Sequence, residues 1–313
     1  MVKVESSLFS EVRGTLNKSK TTFQTRKTTL VMEKKPIPPP EPKGKRECIR
    51  YFYKALCDRW HTLTEEEKEQ YSETAEKYSI TLFNAYLKEE LPKILWKCKL
   101  MKMDGQVLYF PFLEGSGTTL KDHSGYDNNG TIYGATWVSG KFGYALSFDG
   151  VNDYVEIPHS TSLDLNVLSV VTWFKSTYSG EWFRPIITKY GYTTITPFWG
   201  MGWMDTNKLG FTIRDYNGVA DYSSAQTYEG LDGKWHFLAG VASNSAVQFW
   251  MDGVLKSSVS RTAGDIRNTR PVTFARILNL YVPETLSLTM IFNRPLTSEE
   301  ITQIYELTKP YFE

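Results

Sequence analysis

Apolar and polar residues alternate in short runs over the last two thirds of the chain, and recur at helical spacing only in an earlier stretch. The clearest run is Ala145 to Pro158. Leu146 and Phe148 alternate with small or polar residues, Asp149-Gly150-Val151-Asn152-Asp153 interrupts them, and Val155 and Ile157 resume until Pro158. This predicts a strand, a tight turn and a second strand, a hairpin with one apolar face. Further alternating runs lie at 107–112, 135–138, 169–174, 185–189, 209–214, 235–242, 246–251, 272–275 and 287–292. Roughly a dozen short strands suit two packed sheets. A helical turn over 298–307 is expected to close the chain, capped by Ser298 with Glu299 and Glu300 behind it.

Upstream the period changes. Ile49, Phe52, Tyr53, Leu56, Cys57 and Trp60 form one helical stripe. Thr64-Glu65-Glu66-Glu67 reads as a capping box, with Leu63 placed as a staple and Tyr71, Ala75 and Tyr78 as the buried face behind it. A third helix is expected from Thr81, with Phe83, Tyr86, Leu87 and Leu91 inward and a kink or break at Pro92. Residues 1–44 differ again. Gln24 to Val31 favours β structure, as a hairpin arm or an added strand, and Lys34 to Pro42 is a polyproline-type spacer. The expected organisation is an extended basic, Pro-rich arm (1–44), a three-helix unit (45–100), a linker (101–106) and a sandwich (107–313).

Charge sharpens this division. The net charge is +1, but residues 1–104 hold 21 Lys and Arg against 15 Asp and Glu, leaving 15 against 20 for the remainder. The two parts, at +6 and −5, face different partners or each other. Cys48, Cys57 and Cys98 all fall in the first third, at spacings that suit neither a disulfide framework nor a zinc site. No run approaches a membrane span, and the first residues lack the apolar core of a signal peptide.

Five features in order resemble the laminin-G-like, concanavalin-A-like sandwiches. They are the D-x-S-G turn from Asp122 to Gly130, FDGVNDYVEIP, Trp235-His236, Trp250-Met251-Asp252-Gly253, and Asn293-Arg294-Pro295-Leu296-Thr297-Ser298-Glu299-Glu300-Ile301. The fold expected is mainly β, an antiparallel jelly-roll β-sandwich preceded by the helical unit and the arm. The helical segment resembles two families. Trp60-x-x-Leu63-Thr64-x-x-Glu67-Lys68-x-x-Tyr71 is similar to an HMG box. The Lys/Pro spacer, that same motif, Ala75 and Phe83-Asn84-Ala85-Tyr86 together resemble a class of tailed-virus and prophage virion proteins. A minor-groove binder needs a wedge beside basic residues, and the second helix starts strongly acidic, so the virion resemblance is favoured.

Candidate chemistry follows. The paired acids of a sandwich glycosidase, E-x-D-x-x-E, are missing. His123, His159 and His236 stand at no recognisable spacing from a nucleophile, and the sequence reads as non-enzymatic. The sandwich resemblance implies Ca²⁺ at the D-x-S-G turn, with Asp122 and Asn128 as ligands. The strand that should complete that site, Ser287 to Ile291, carries no acid. Trp182, Tyr190, Tyr192, Trp199 and Trp203 crowd a Gly/Thr/Pro-rich region, as sugar-stacking faces or as core. Phe23, Arg26, Lys27, Lys34, Lys35 and Trp60 are the expected assembly anchor. The expectation is a virion structural protein, made in the host cytoplasm, that meets other virion proteins, copies of itself and a host surface glycan. A DNA-associated protein and a cellular surface lectin are the alternatives.

Overall fold

Alternation becomes two antiparallel sheets wherever one face of each strand can be buried. The computed structural model describes residues 23–26, 29–32, 53, 56–57, 60–61, 63–100, 103–140, 143–178, 184–190, 196–205, 208–224, 230 and 232–312. Two compact units result, residues 1–95 and 96–313.

In the first unit, β1 (Phe23–Arg26) pairs with β2 (Thr29–Met32) as a two-stranded sheet. Residues 53, 56–57 and 60–61 are helical, followed by α1 (Glu65–Glu69), α2 (Ser72–Tyr78) and α3 (Leu82–Leu100). The capping box is present: the Thr64 hydroxyl accepts from Glu67 N at 3.2 Å, and Glu67 accepts from Thr64 N at 2.8 Å. The second predicted helix is divided, because Gln70 and Tyr71 form a turn between α1 and α2. The third is not: α3 runs through Pro92 as one element of 19 residues. A proline removes one donor and displaces one carbonyl, and the bonded turns on either side carry the helix past it. Trp60, Tyr71, Phe83 and Tyr86 form the core, with the Trp60 and Tyr86 rings 5.2 Å apart. The fully buried Tyr86 donates its hydroxyl to Leu56 O.

The second unit opens with β3 (Gln106–Phe110), β4 (Thr119–Leu120), β5 (Gly130–Tyr133), β6 (Thr136–Gly140), β7 (Gly143–Asp149) and β8 (Tyr154–Ile157). Next come β9 (Leu168–Lys175), β10 (Arg184–Lys189), β11 (Phe198–Asp205), β12 (Lys208–Arg214), β13 (Ala220–Ser224), β14 (Trp235–Ala242), β15 (Ala246–Met251) and β16 (Val254–Ser260). Then follow β17 (Val272–Phe274), β18 (Arg276–Ile277), β19 (Leu280–Tyr281), β20 (Pro283–Phe292) and α4 (Ser298–Thr308).

One sheet has the order β13-β12-β11-β10-β17-β8-β5-β4 and the other β16-β15-β14-β9-β20-β7-β6, with β3 also on β20. Their inner faces meet in a continuous core that includes Phe110, Leu146, Phe148, Val155, Ile157, Phe174, Phe211, Phe249, Phe274 and Leu286.

The predicted central hairpin is corrected here. β7 pairs with β6 and β20, whereas β8 pairs with β5 and β17, so the turn between them crosses from one sheet to the other. Both strands still point their apolar residues into the same core, and for that reason the alternation looked like a hairpin. Asp149 Oδ1 accepts from Val151 N at 2.8 Å, and Asp153 Oδ2 accepts from Asp149 N at 3.1 Å. Gly150 turns at φ +79° against Pro283, where a side chain would collide.

The closing helix is also capped one residue earlier than expected. Thr297, not Ser298, accepts from Glu300 N at 3.2 Å, and Glu300 reaches back to Thr297 N at 2.9 Å. Glu300 also holds Arg294 through two bonds of 2.6 and 2.8 Å. That pair is what the N-R-x-L-[ST]-x-E-E signature builds. α4 buries Ile301, Ile304, Tyr305 and Thr308 against the outer face of its sheet.

Candidate functional site

The residues singled out by sequence separate into three groups. Trp182 and Tyr192 lie outside the described residues, as do Lys27, Lys34 and Lys35. Phe23 and Arg26 are at the ends of β1, paired with Met32 and Thr29. Trp60 is half-buried in the aromatic core of the helical unit.

Trp199 and Trp203 are 1% and 0% exposed and belong to the core between the sheets. Neither ring offers solvent a face, so a sugar cannot stack there. Periodicity could not decide this, because β11 carries large residues on both faces. Tyr190 is half-buried on the outer side, where it packs with Phe198, Met204 and Ile277.

Asp122 and Asn128 spend their oxygens inside the chain. Asp122 Oδ1 accepts from Tyr109 N and Ser124 N, both at 2.9 Å, and Oδ2 accepts from Ser124 Oγ at 2.7 Å and Asn128 N at 2.9 Å. Asn128 donates to Val107 O and Ser162 Oγ and accepts from Ser160 Oγ. The two residues bracket their own turn onto β3. Among the described residues, no group of three or more His, Cys, Asp or Glu side chains is arranged to hold a metal.

The histidine after Trp235 is braced as well. His236 Nδ1 lies 2.8 Å from Asp252 Oδ2, and Nε2 lies 3.1 Å from Asp232 Oδ1. Burial pushes its pKa down, but the hydrogen bonds and charges of the two carboxylates outweigh that and raise it. Asp252 also accepts from Phe237 N at 2.9 Å, so the W-x-D-G turn is fixed by the strand it faces.

The structure adds a group that the sequence reading missed. β5 and β8 are neighbours, with Tyr133 directly opposite Tyr154 and Thr131 opposite Glu156. Ile132, Val155 and Ile157 point inward, so these four point away from the core. The two tyrosine rings stack at 4.4 Å and 11°. The Arg276 guanidinium sits 3.8 Å from the Tyr154 ring centroid and donates to Glu156 Oε2 at 3.0 Å. Tyr281, paired with Arg276 across the β18–β19 hairpin, brings its ring to 6.3 Å from Tyr154.

Tyr133 is 42% exposed. Next to it, Gly134 turns at φ +74°, and a β-carbon there would strike Asp153 Oδ1. The outcome is a flat aromatic surface whose backing layers are fixed by strand register, a cation and a carboxylate. The signal was available: Tyr154 and Glu156 alternate with buried Val155 and Ile157. What sequence could not supply was the pairing of β8 with β5 rather than with β7.

Among curated proteins, none matches this chain in sequence. Solved structures do match in fold. The binding domain of Paraclostridial Mosquitocidal Protein 1 superposes with a TM-score of 0.54 at 14% identity, covering 64% of this chain and 52% of that one. The botulinum neurotoxin serotype D binding domain gives 0.52 at 16% identity, covering 65% and 52%. Domain 4 of AbnA, a GH43 extracellular arabinanase from Geobacillus stearothermophilus solved with arabinotriose, gives 0.52 at 16% identity, covering 64% and 98%. The chain thus spans about half the length of the two toxin domains and nearly all of the arabinanase domain. At these identities the likeness concerns fold. A family model described as the concanavalin A-like lectin/glucanases superfamily matches residues 149–302. The matched residues supply β8 to β17 and β20, strands of both sheets of the sandwich.

Proposed function

We propose that this chain is a non-enzymatic glycan-binding protein of a viral particle. The sandwich takes a host surface glycan on the outer face of β5 and β8, and the N-terminal residues seat the protein among other virion proteins and copies of itself. The exposed Tyr133 ring, stacked on Tyr154, carries the glycan reading. Sugars present C–H faces that pack on flat rings, and a ring already held by a neighbour loses little freedom when it is covered. A sandwich of similar fold serves as domain 4 of an arabinanase solved with arabinotriose. The particle reading is supported by the motif from Trp60 to Tyr71, by Phe83-Asn84-Ala85-Tyr86 and by the basic N-terminal residues.

Titrating the full chain with glycans drawn from an array tests the first part. Tyr133→Ala is expected to weaken binding about tenfold, the equivalent of about 1.4 kcal/mol, and to lower the melting temperature slightly through the lost stacking on Tyr154. Binding that Tyr133→Ala leaves intact rules out this surface. For the second part, the native species is weighed and its components identified. Recovery in a megadalton particle with other virion proteins is expected, and a soluble monomer would sink that half of the proposal. Steeply salt-dependent DNA binding would favour the DNA-associated reading instead.

A further inference from the structure

We infer that the Tyr133 site takes a linear oligosaccharide rather than a single sugar, with one unit on the free face of Tyr133 and the next over the hydroxyl pair Thr119 and Thr131; this rests on the glycan reading above. The stack fixes the side on which the site opens. Tyr154 of β8 covers one face of the Tyr133 ring in nearly parallel contact, and the Arg276 guanidinium lies on Tyr154 in turn. The free face of Tyr133 therefore looks away from β8, toward β4, the neighbour of β5 on its other side.

Nothing on the β4 side covers that face. Thr119 pairs with Thr131 and Leu120 with Gly130. Ile132 N donates to Thr118 O at 2.8 Å, which carries this register past the end of β4 and brings Gly117 abreast of Tyr133. Gly117 has no side chain to lay on the ring. It turns at φ +83°, and a β-carbon there would meet nothing within 4 Å. Its carbonyl accepts from Trp137 Nε1 at 2.9 Å, so the segment is tied back instead of folding over the ring. A sugar can lie on Tyr133 beside bare backbone.

The next rung on this face is made of hydroxyls. Side chains two residues apart on a strand share a face and stand roughly 6.8 Å apart. Thr131 thus follows Tyr133 on β5, with Thr119 directly opposite it on β4. Both threonines are exposed. Cross-strand neighbours lie roughly 5 Å apart, and each hydroxyl can donate one hydrogen bond and accept others. Beyond this rung the side chains return to the protein: Asn129 Oδ1 accepts from Asp122 N at 2.8 Å. A sugar centred on Tyr133 leaves the two hydroxyls to the unit joined to it, and that unit meets them without a second loss of translational freedom.

The test titrates the full chain with maltose, cellobiose and arabinobiose, each beside its monosaccharide, and with the tightest array glycan cut back in the same way. The disaccharide that binds is expected to do so about tenfold more tightly than its monosaccharide. Thr119→Val and Thr131→Val keep the side-chain shape and remove the hydroxyl. Each is expected to weaken disaccharide binding about threefold, and the double variant about tenfold, with monosaccharide binding and the circular dichroism spectrum unchanged. Where the monosaccharide is too weak to titrate, the loss of disaccharide affinity decides. A monosaccharide that binds as tightly as its disaccharide overturns this inference and leaves the glycan reading intact. So does a double variant that binds the disaccharide like the parent while Tyr133→Ala loses it. Binding of no member of any series, nor of any array glycan, overturns the glycan reading and this inference with it.

Discussion

Trp173→Ala is expected to cost the sandwich about 4 kcal/mol, near the top of the range for a single core truncation. Trp173 lies on β9 with no exposed surface, on the face turned away from the inter-sheet core. Its ring stacks on Phe312 at 4.4 Å and 9°, lies 5.9 Å from Tyr305 and meets Phe237 edge-on at 5.6 Å. Its Nε1 donates to Thr308 Oγ1 at 2.8 Å. With Phe237 and Trp235, which also meet Tyr305 and Phe312, this side chain fastens α4 and the residues after it to the sheet. Truncation would leave a cavity under a helix of eleven residues that has little stability of its own. Trp173→Phe keeps most of the packing and loses the N–H donor, so about 1 to 2 kcal/mol is expected. Urea unfolding followed by circular dichroism separates the two. A loss below about 1 kcal/mol for the alanine variant would mean that the helix is held elsewhere.

Glu284→Leu is expected to act in the opposite direction, raising stability by about 2 kcal/mol at neutral pH. Glu284 is 3% exposed on β20, two residues from the core residues Val282 and Leu286 and opposite Phe148 of β7. Neither of its oxygens has a hydrogen-bond partner among the described residues. Burial disfavours the carboxylate and raises its pKa well above the ordinary 4.5. The folded chain therefore holds this proton at pH values where the unfolded chain has released it. Stability linked to the group is fully present below the unfolded pKa and is lost as pH rises through the folded one. Compared with the leucine variant, the parent protein should lose ground steadily above about pH 4.5. Urea midpoints at pH 4 and pH 7 check this, and a stability difference that does not grow with pH would refute it.

How much of this was legible in the chain depends on the distance over which each feature is decided. Caps and strand faces are local. Thr64 and Glu67 could be read because the donor and acceptor stand three residues apart. The inward alternation of Leu146, Phe148, Val155 and Ile157 could be read because it belongs to each strand alone. Strand partnership is not local. Nothing in Asp149 to Asp153 tells a hairpin turn from a crossing between sheets, since both need a tight bend with carboxylates bracing the amides.

The candidate site suffered most from this limit. Aromatic density pointed to the stretch holding Trp199 and Trp203, but rings gather wherever the two sheets need filling. The stacked pair, Tyr133 and Tyr154, looked like ordinary outward strand positions until the register placed one against the other. The Arg276 contact was still more remote, because it depends on a two-residue strand beyond β17.

The seam between the two sheets along β13 and β16 has a further consequence. Ser223 Oγ of β13 donates to Ser257 O of β16 at 2.9 Å. Asp221 accepts from Thr262 N and Ala263 N, each at 2.8 Å, and Arg261 reaches the carbonyls of Asn166, Ser243, Ala263 and Gly264. The loop after β16 is thereby laced over the outermost strand of the other sheet. An uncovered outermost strand is a template on which a neighbouring chain can extend the sheet. With this border closed, a neighbouring chain cannot extend either sheet from the β13–β16 side.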